Sequence, residues 1–288
     1  MNLHVAAEKV APEFFARDIR FPLDSKVLIM GVLNVTPDSF SDGGHYVDPA
    51  KALDHVQRMA EEGADIIDVG GESTRPGAAP VDEEEEMKRL KPILQVLGRR
   101  NPVPISVDTR KAAVAQLALD CGAAMVNDVS ALRDDPEMGR VVAEAGAGVV
   151  LMHRQGDSRT MQQAPSYRDV IGEIKQFLTE RLSAACEQGI KSRNILLDPG
   201  VGFGKNVSHN LTIINRLDQF LNLGRPLIIG ISKKSFIGQI LEKPVEERYM
   251  GTGAAVAVAV LRGAHLIRVH DVALMRDVAK MAKALREA

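Results

Sequence analysis

Apolar residues in this chain come in short runs separated by longer amphipathic stretches. Eight such runs, many of them β-branched, occupy residues 27–33, 65–69, 103–107, 124–127, 148–152, 194–197, 226–231 and 265–269. Their length and composition predict buried strands. Between them, apolar positions return every three or four residues, as on one face of a helix. Val114, Leu117, Ala118 and Cys121 form one such stripe, and Val170, Ile171, Ile174, Phe177, Leu178 and Leu182 form another in a long helix. Asp82 opens a further helix, whose acidic first turn (residues 83–86) precedes Lys88, Arg89 and Lys91. Negative charge there complements the positive end of the helix dipole, so residues 83–86 are expected to be a solvated helix terminus.

Eight strands alternating with helical segments, with no linker-like tract between them, predict an α/β fold. The expectation is a single (β/α)8 TIM barrel over residues 27–288. Residues 1–26 then form an N-terminal extension, expected to supply strands at the barrel bottom. A doubly wound sheet would carry a phosphate-binding glycine fingerprint in its first βα turn. That turn reads Asn34-Val35-Thr36-Pro37 instead. The Gly200-Val201-Gly202-Phe203-Gly204-Lys205 loop fits neither a dinucleotide motif nor a P-loop, because the glycine spacing fails and no Ser or Thr follows Lys205.

Composition narrows the function classes. With 45% hydrophobic and 26% charged residues, the chain reads as a soluble globular protein with ample core. A formal net charge of -2 gives no electrostatic reason for nucleic-acid or membrane partners. Aromatics at 4% and the absence of Trp leave no base-stacking platform. Cys121 and Cys186 lie in helical patterns and read as buried thiols. No signal-peptide core occurs in residues 1–26, and the apolar tract at 253–261 is too short to span a bilayer. A cytoplasmic location is expected.

Polar, glycine-rich loops follow several of the predicted strands. Residues 34–44 carry Asn34, Thr36, Ser39, Phe40 and Asp42 before a Gly-Gly end, more chemistry than a connector needs. This loop and residues 71–77 are expected to order over a bound ligand. A barrel gathers its strand ends around one mouth. The candidates there are Asn34, Thr74 with Arg75, Asp108, Asn127 with Asp128, His153, Asp198, Lys234 with Ser235, and Arg268 with His270. Singly, each has an ordinary structural role open to it, Asp108 as a helix cap and Asn127 or Asp198 as turn residues. Together they describe a site. Asp108, Asn127 and Asp198 suit a flat heterocycle rich in N–H donors. Lys234, Arg268 and His270 follow late strands, where barrels often bind phosphate. Asn34 offers an oxygen compatible with Mg²⁺.

These motifs resemble dihydropteroate synthases. The resemblance rests on residues 34–44, 70–77, 105–109, 197–200, 232–235 and 267–271, in order and with suitable spacing, from about residue 27 to the C-terminus. It implies condensation of hydroxymethyl-dihydropterin diphosphate with p-aminobenzoate, releasing diphosphate. It also implies that Asp108, Asn127, Asp198 and Lys234 hold the pterin ring, with Met152 and Phe203 nearby. Asn34 would contact Mg²⁺, while Thr74, Arg268 and His270 engage the diphosphate. Phe40, Thr74, Arg75, Pro76, Lys234 and Ser235 would frame p-aminobenzoate, and Asp42 would stabilise a methylene cation. Lys234, Arg268 and His270 complete the expected catalytic set, and relatives of this kind are commonly homodimers through late helices. Three positions depart from the pattern: Val201 between the glycines, Lys233 before Lys234, and Ser130-Ala131-Leu132. A pterin-binding methyltransferase barrel and a non-catalytic pterin-binding paralogue are the alternatives. The first has no need of Arg268 and His270, and the second has no need of the loop residues.

Overall fold

The computed structural model describes residues 13–35, 48–73, 78–156 and 160–288, without the side chains of Arg99 and Arg100. A short antiparallel hairpin, β1 (Phe14–Ala16) and β2 (Ile19–Phe21), comes first. Eight parallel strands follow: β3 (Leu28–Asn34), β4 (Ile66–Gly70), β5 (Ile105–Asp108), β6 (Met125–Asp128), β7 (Gly148–Met152), β8 (Ile195–Asp198), β9 (Ile228–Gly230) and β10 (Leu266–Val269). They pair in the order β8-β7-β6-β5-β4-β3-β10-β9. A single bridge between Leu197 and Leu227 then joins β8 to the residue before β9 and closes the barrel. Around it run α1 (Pro49–Glu61), α2 (Glu83–Arg100), α3 (Ala112–Asp120), α4 (Met138–Glu144), α5 (Val170–Glu187), α6 (Val207–Asn215), α7 (Ser235–Leu241), α8 (Tyr249–Leu261) and α9 (Val272–Glu287).

Side chains alternate across a strand, so every barrel strand except β5 feeds two cores. Ile29, Ile67, Val107, Val126, Val149, Ile195, Ile229 and Ile267 belong to the outer core shared with the helices. Leu28, Met30, Ile66, Met125, Val150, Leu196, Ile228 and Leu266 form a separate cluster with Phe14, Ala16, Phe21 and Leu23 of the hairpin region. The hairpin therefore seals the end of the lumen where the strands begin. Phe14 and Phe21 stack at 5.2 Å, and the Arg17 amide donates to Gly146 O at 2.8 Å. A Cβ added at Gly148 would lie 2.9 Å from both Ala16 Cβ and Phe14 Cζ, so only glycine lets the hairpin seat this closely.

Two details differ from the sequence reading. Asp82 does cap α2, accepting the Glu85 amide at 2.8 Å, but Glu86 is buried and accepts from Lys111 Nζ. Burial pushes the Glu86 carboxyl up, against the pull of Lys111. Of the two thiols, both free, Cys121 is half-buried and Cys186 is exposed, because the last turn of α5 faces outward there.

Candidate active site

Two residues beyond the apolar cluster, the same alternation brings polar groups into the lumen. Ile66 is followed by Asp68, Met125 by Asn127, Leu196 by Asp198 and Leu266 by Arg268. Arg268 donates from Nε to Asp68 Oδ2 at 2.6 Å and from Nη2 to Asp108 Oδ2 at 2.7 Å. Asp68 Oδ2 also accepts from Asn127 Nδ2 at 2.9 Å, which turns the Asn127 carbonyl away from Asp68. The Oδ1 atoms of Asp68 and Asp108 are buried without a hydrogen-bond partner. Leaving such acceptors unmatched costs about 1–3 kcal/mol each, which a donor-bearing ligand can recover. Burial raises the Asp108 carboxyl to about 7; Arg268 pulls it down, and Asp68 pushes it up. Burial works against the Arg268 charge, but Asp68 and Asp108 outweigh it and hold the guanidinium's pKa above its usual value.

The opposite wall is a glycine turn. Asp198, buried at the end of β8, accepts the Gly200 amide at 2.7 Å, and burial raises its carboxyl. Gly200 and Gly202 adopt φ of +71° and +83°. A Cβ at Gly202 would sit 2.8 Å from Lys234 Cδ, so the turn makes room for that lysine's stem. Lys234 Nζ donates to Val201 O and stands 4.4 Å from the centroid of the Phe203 ring, a cation–π contact. Burial lowers its pKa to about 8, with Asp198 opposing and Arg268 reinforcing the shift. Val201 is itself buried, so its departure from the family pattern falls in the packing beneath the turn. Lys233 lies in the left-handed region at φ +56° and turns its ammonium to Asp271 at 3.1 Å.

His270 and Ser232 join the ends of β10 and β9, with His270 Nδ1 3.0 Å from Ser232 Oγ. Asn34 ends β3, half-buried, and Ser235 is the exposed first residue of α7. Met152 is buried at the end of β7. Two mouth candidates turn out to be structural. Both carboxylate oxygens of Asp128 are engaged at 2.7 Å by the amides of Ser130 and Leu132, holding the left-handed residues Ala131 and Leu132. His153 meets the Phe177 ring edge-on at 4.8 Å, and its Nδ1 lies 2.9 Å from Lys205 Nζ. Burial, then Lys205 and Arg133, lowers its pKa to about 2, so the ring is neutral. Phe40, Asp42, Thr74, Arg75 and Pro76 lie outside the described residues, as does most of both loops expected to order over ligand.

Residues 30–270 match the family model described as pterin binding enzyme. The dihydropteroate synthase of Escherichia coli strain K12 is 49% identical over 245 residues, 85% of this chain and 86% of that protein. The chain belongs to the dihydropteroate synthase family. Solved structures of the family agree. A Yersinia pestis dihydropteroate synthase with a sulfonamide drug complex superposes with a TM-score of 0.90 at 42% identity, covering 96% of this chain and 100% of that one. The Xanthomonas albilineans dihydropteroate synthase with 4-aminobenzoic acid gives 0.88 at 42% identity, covering 97% and 100%. Agreement with the synthases over nearly their whole length sets aside the methyltransferase alternative.

Sequence reasoning missed Asp68, Ser232 and Lys205. Asp68 did leave a signal, a carboxylate inside the apolar strand Ile66-Ile67-Asp68-Val69, where an unpaired charge would be costly. A lysine after a glycine turn reads as solvated, so Lys205 left none.

Proposed function

We propose that the polar end of this barrel holds (7,8-dihydropterin-6-yl)methyl diphosphate and joins it to p-aminobenzoate, giving 7,8-dihydropteroate and diphosphate. The chain is thus a transferase of folate biosynthesis. The observation that carries this reading is the acceptor-rich floor: the unpaired Oδ1 of Asp108, with Asp198 and the oriented amide of Asn127 beside it. A pterin edge presents N–H donors, and a buried site that matches them strongly disfavours rings lacking them. Lys234 stands between this floor and the Phe203 ring, where p-aminobenzoate would lie, with Ser235, Phe40, Thr74 and Arg75 completing its frame.

In the reaction, the bond from the exocyclic methylene to the diphosphate oxygen breaks, and its electron pair leaves with diphosphate. The arylamine lone pair forms the new C–N bond, and the nitrogen then gives up a proton. No enzyme nucleophile is needed. Arg268 on β10 and His270, the residue after its end, take up charge at the leaving group, as preorganised cations and donors do. Asp42 stabilises the methylene cation. Asn34 has an amide oxygen with no donor among the described residues, and no group of three or more His, Cys, Asp or Glu is arranged there to hold a metal. A single neutral oxygen fits Mg²⁺ coordinated mainly by phosphate oxygens and water. When bound, Mg²⁺ would neutralise part of the diphosphate charge.

No helix among the described residues is long and apolar enough to cross a membrane; the location proposed is the cytoplasm. Exposed Met250 on α8 and Leu274, Met281 and Leu285 on α9 support a homodimer through these late helices. The deciding assay mixes the purified chain with the pterin diphosphate and p-aminobenzoate. Diphosphate should be released only when p-aminobenzoate is present, and release independent of it would defeat the reading.

A further inference from the structure

We propose that Lys205 is a positioning residue whose side-chain nitrogen fixes the glycine turn, and through it the Phe203–Lys234 wall against which p-aminobenzoate reacts. Lys205 is buried, with only 2% of its surface exposed, and among the described residues its nitrogen hydrogen-bonds no group of the lumen floor, reaching Asp198 only through charge. Its Nζ has three polar neighbours: His153 Nδ1 at 2.9 Å, Phe203 O at 2.9 Å and His153 O at 3.4 Å. Burial lowers its pKa well below the ordinary lysine value, and whether the nitrogen carries two protons or three, these neighbours take up its hydrogen-bonding positions. The main chain of Lys205 is tied as well. Its carbonyl accepts Asn210 Nδ2 at 3.4 Å, and Asn210 Oδ1 accepts the Gly202 amide at 2.8 Å.

These ties act on the one segment that shapes the wall. Gly200 packs so closely that an added Cβ would lie 1.9 Å from His153 O, and one at Gly204 would lie 2.4 Å from Gln155 O. The turn therefore rests directly on the backbone after β7, and Lys205 bonds both surfaces at that seam. From the turn's other side, Val201 O holds Lys234 Nζ and the Phe203 ring lies 4.4 Å from it. A shift of the Phe203 carbonyl carries both groups with it. Of the acceptors that face the pterin, Asp108 on β5 and Asn127 on β6 make no bond to this turn, while Asp198 meets it only through the Gly200 amide.

The inference rests on the function proposed above, and two measurements keep them apart: wild-type turnover tests that function, while a ligand-free spectroscopic readout tests Lys205 alone. The variant is Lys205→Met, which keeps the stem and removes the donors. Misplacement of the wall by a fraction of an ångström is expected to raise KM for p-aminobenzoate roughly tenfold, with affinity for unphosphorylated hydroxymethyl-dihydropterin held within about threefold. The chain has no tryptophan, so Phe203→Trp supplies a single indole reporter. Adding Lys205→Met to that reporter should make the indole roughly twice as accessible to acrylamide in the empty protein. An unchanged KM, unchanged quenching, or an equal loss for both ligands alongside a fallen Tm would each overturn the proposal. Should Lys205→Met not fold, Tyr167→Phe removes only the 2.9 Å bond from its hydroxyl to Gly204 O and loosens the same turn. A selective rise in KM for p-aminobenzoate there supports the assignment, and an unchanged KM overturns it.

Discussion

Where the strands begin, Phe14, Ala16 and Phe21 close the lumen against Leu28, Ile66 and Leu266. Two residues further along the same strands, Ile66 has given way to Asp68 and Leu266 to Arg268, and the lumen is polar. That step is only about 7 Å at roughly 3.3 Å per residue. The two ends share a backbone and an alternation but answer to different demands. The plugged end gains stability by excluding water. The open end holds carboxylates whose charge burial disfavours, a cost repaid only when a ligand arrives. If this division is right, stability and affinity should respond separately to changes at the two ends.

Phe14→Ala tests the plugged end. It should lower unfolding free energy by about 3–5 kcal/mol in urea titration, as large cavities in a core do, while the folded fraction keeps its pterin affinity. Loss of affinity in that variant would break the separation. Arg268→Ala tests the junction, because it strands the buried carboxylates of Asp68 and Asp108. A stability loss of about 3 kcal/mol at pH 8 is expected. Calorimetry should also show affinity for the pterin diphosphate falling more than affinity for the unphosphorylated pterin, and equal losses would erase the distinction between floor and diphosphate end. Asp198→Asn should cost roughly 1.5–3 kcal/mol of pterin binding and leave Tm unchanged or higher, since it removes a buried charge that burial already disfavours. An unperturbed pterin affinity would remove Asp198 from the site.

A further effect is in pH. The Asp108 carboxyl stands at about 7 in the folded protein against an ordinary 3.8. A raised carboxyl binds more protons folded than unfolded, so its contribution to stability falls as pH rises from about 4 and levels off above about 7. A ligand that donates to Asp108 prefers the ionised form, so pterin affinity should rise between pH 6 and 7.5 over the same group. Asp108→Asn should flatten both curves in urea and calorimetric titrations. Two slopes of the same sign would contradict the assignment.

Much of this frame was legible from the chain, and the misses have physical causes. Each apolar run overlaps a barrel strand, but the runs at 103–107 and 226–231 begin two residues early. Pro104 and Pro226 are apolar yet lack an amide for the ladder, and serve only through carbonyls that accept from Ile67 and Leu197. Asn127 and Asp128 were found as an adjacent pair, although alternation admits only one of the two to the lumen. Hence Asn127 joins the floor while Asp128 turns to its own loop. Glu86 was misread and Lys205 was missed because their partners, Lys111 and His153, come from other elements. Periodicity carries no trace of a contact between segments 25 or 52 residues apart.

The barrel has a seam. Seven of its eight junctions are strand ladders, whereas β8 and the segment leading into β9 meet at the lone pair Leu197 and Leu227. Asp198 and Lys234 stand at the two margins of that seam, one directly after Leu197 and the other beyond β9. A substrate gripped by both acts as a staple across the weakest line of the cylinder. Its occupancy then stiffens the whole molecule by mass action, and slowed deuterium uptake at the amide of Leu197, bonded to Pro226 O, would register the stapling.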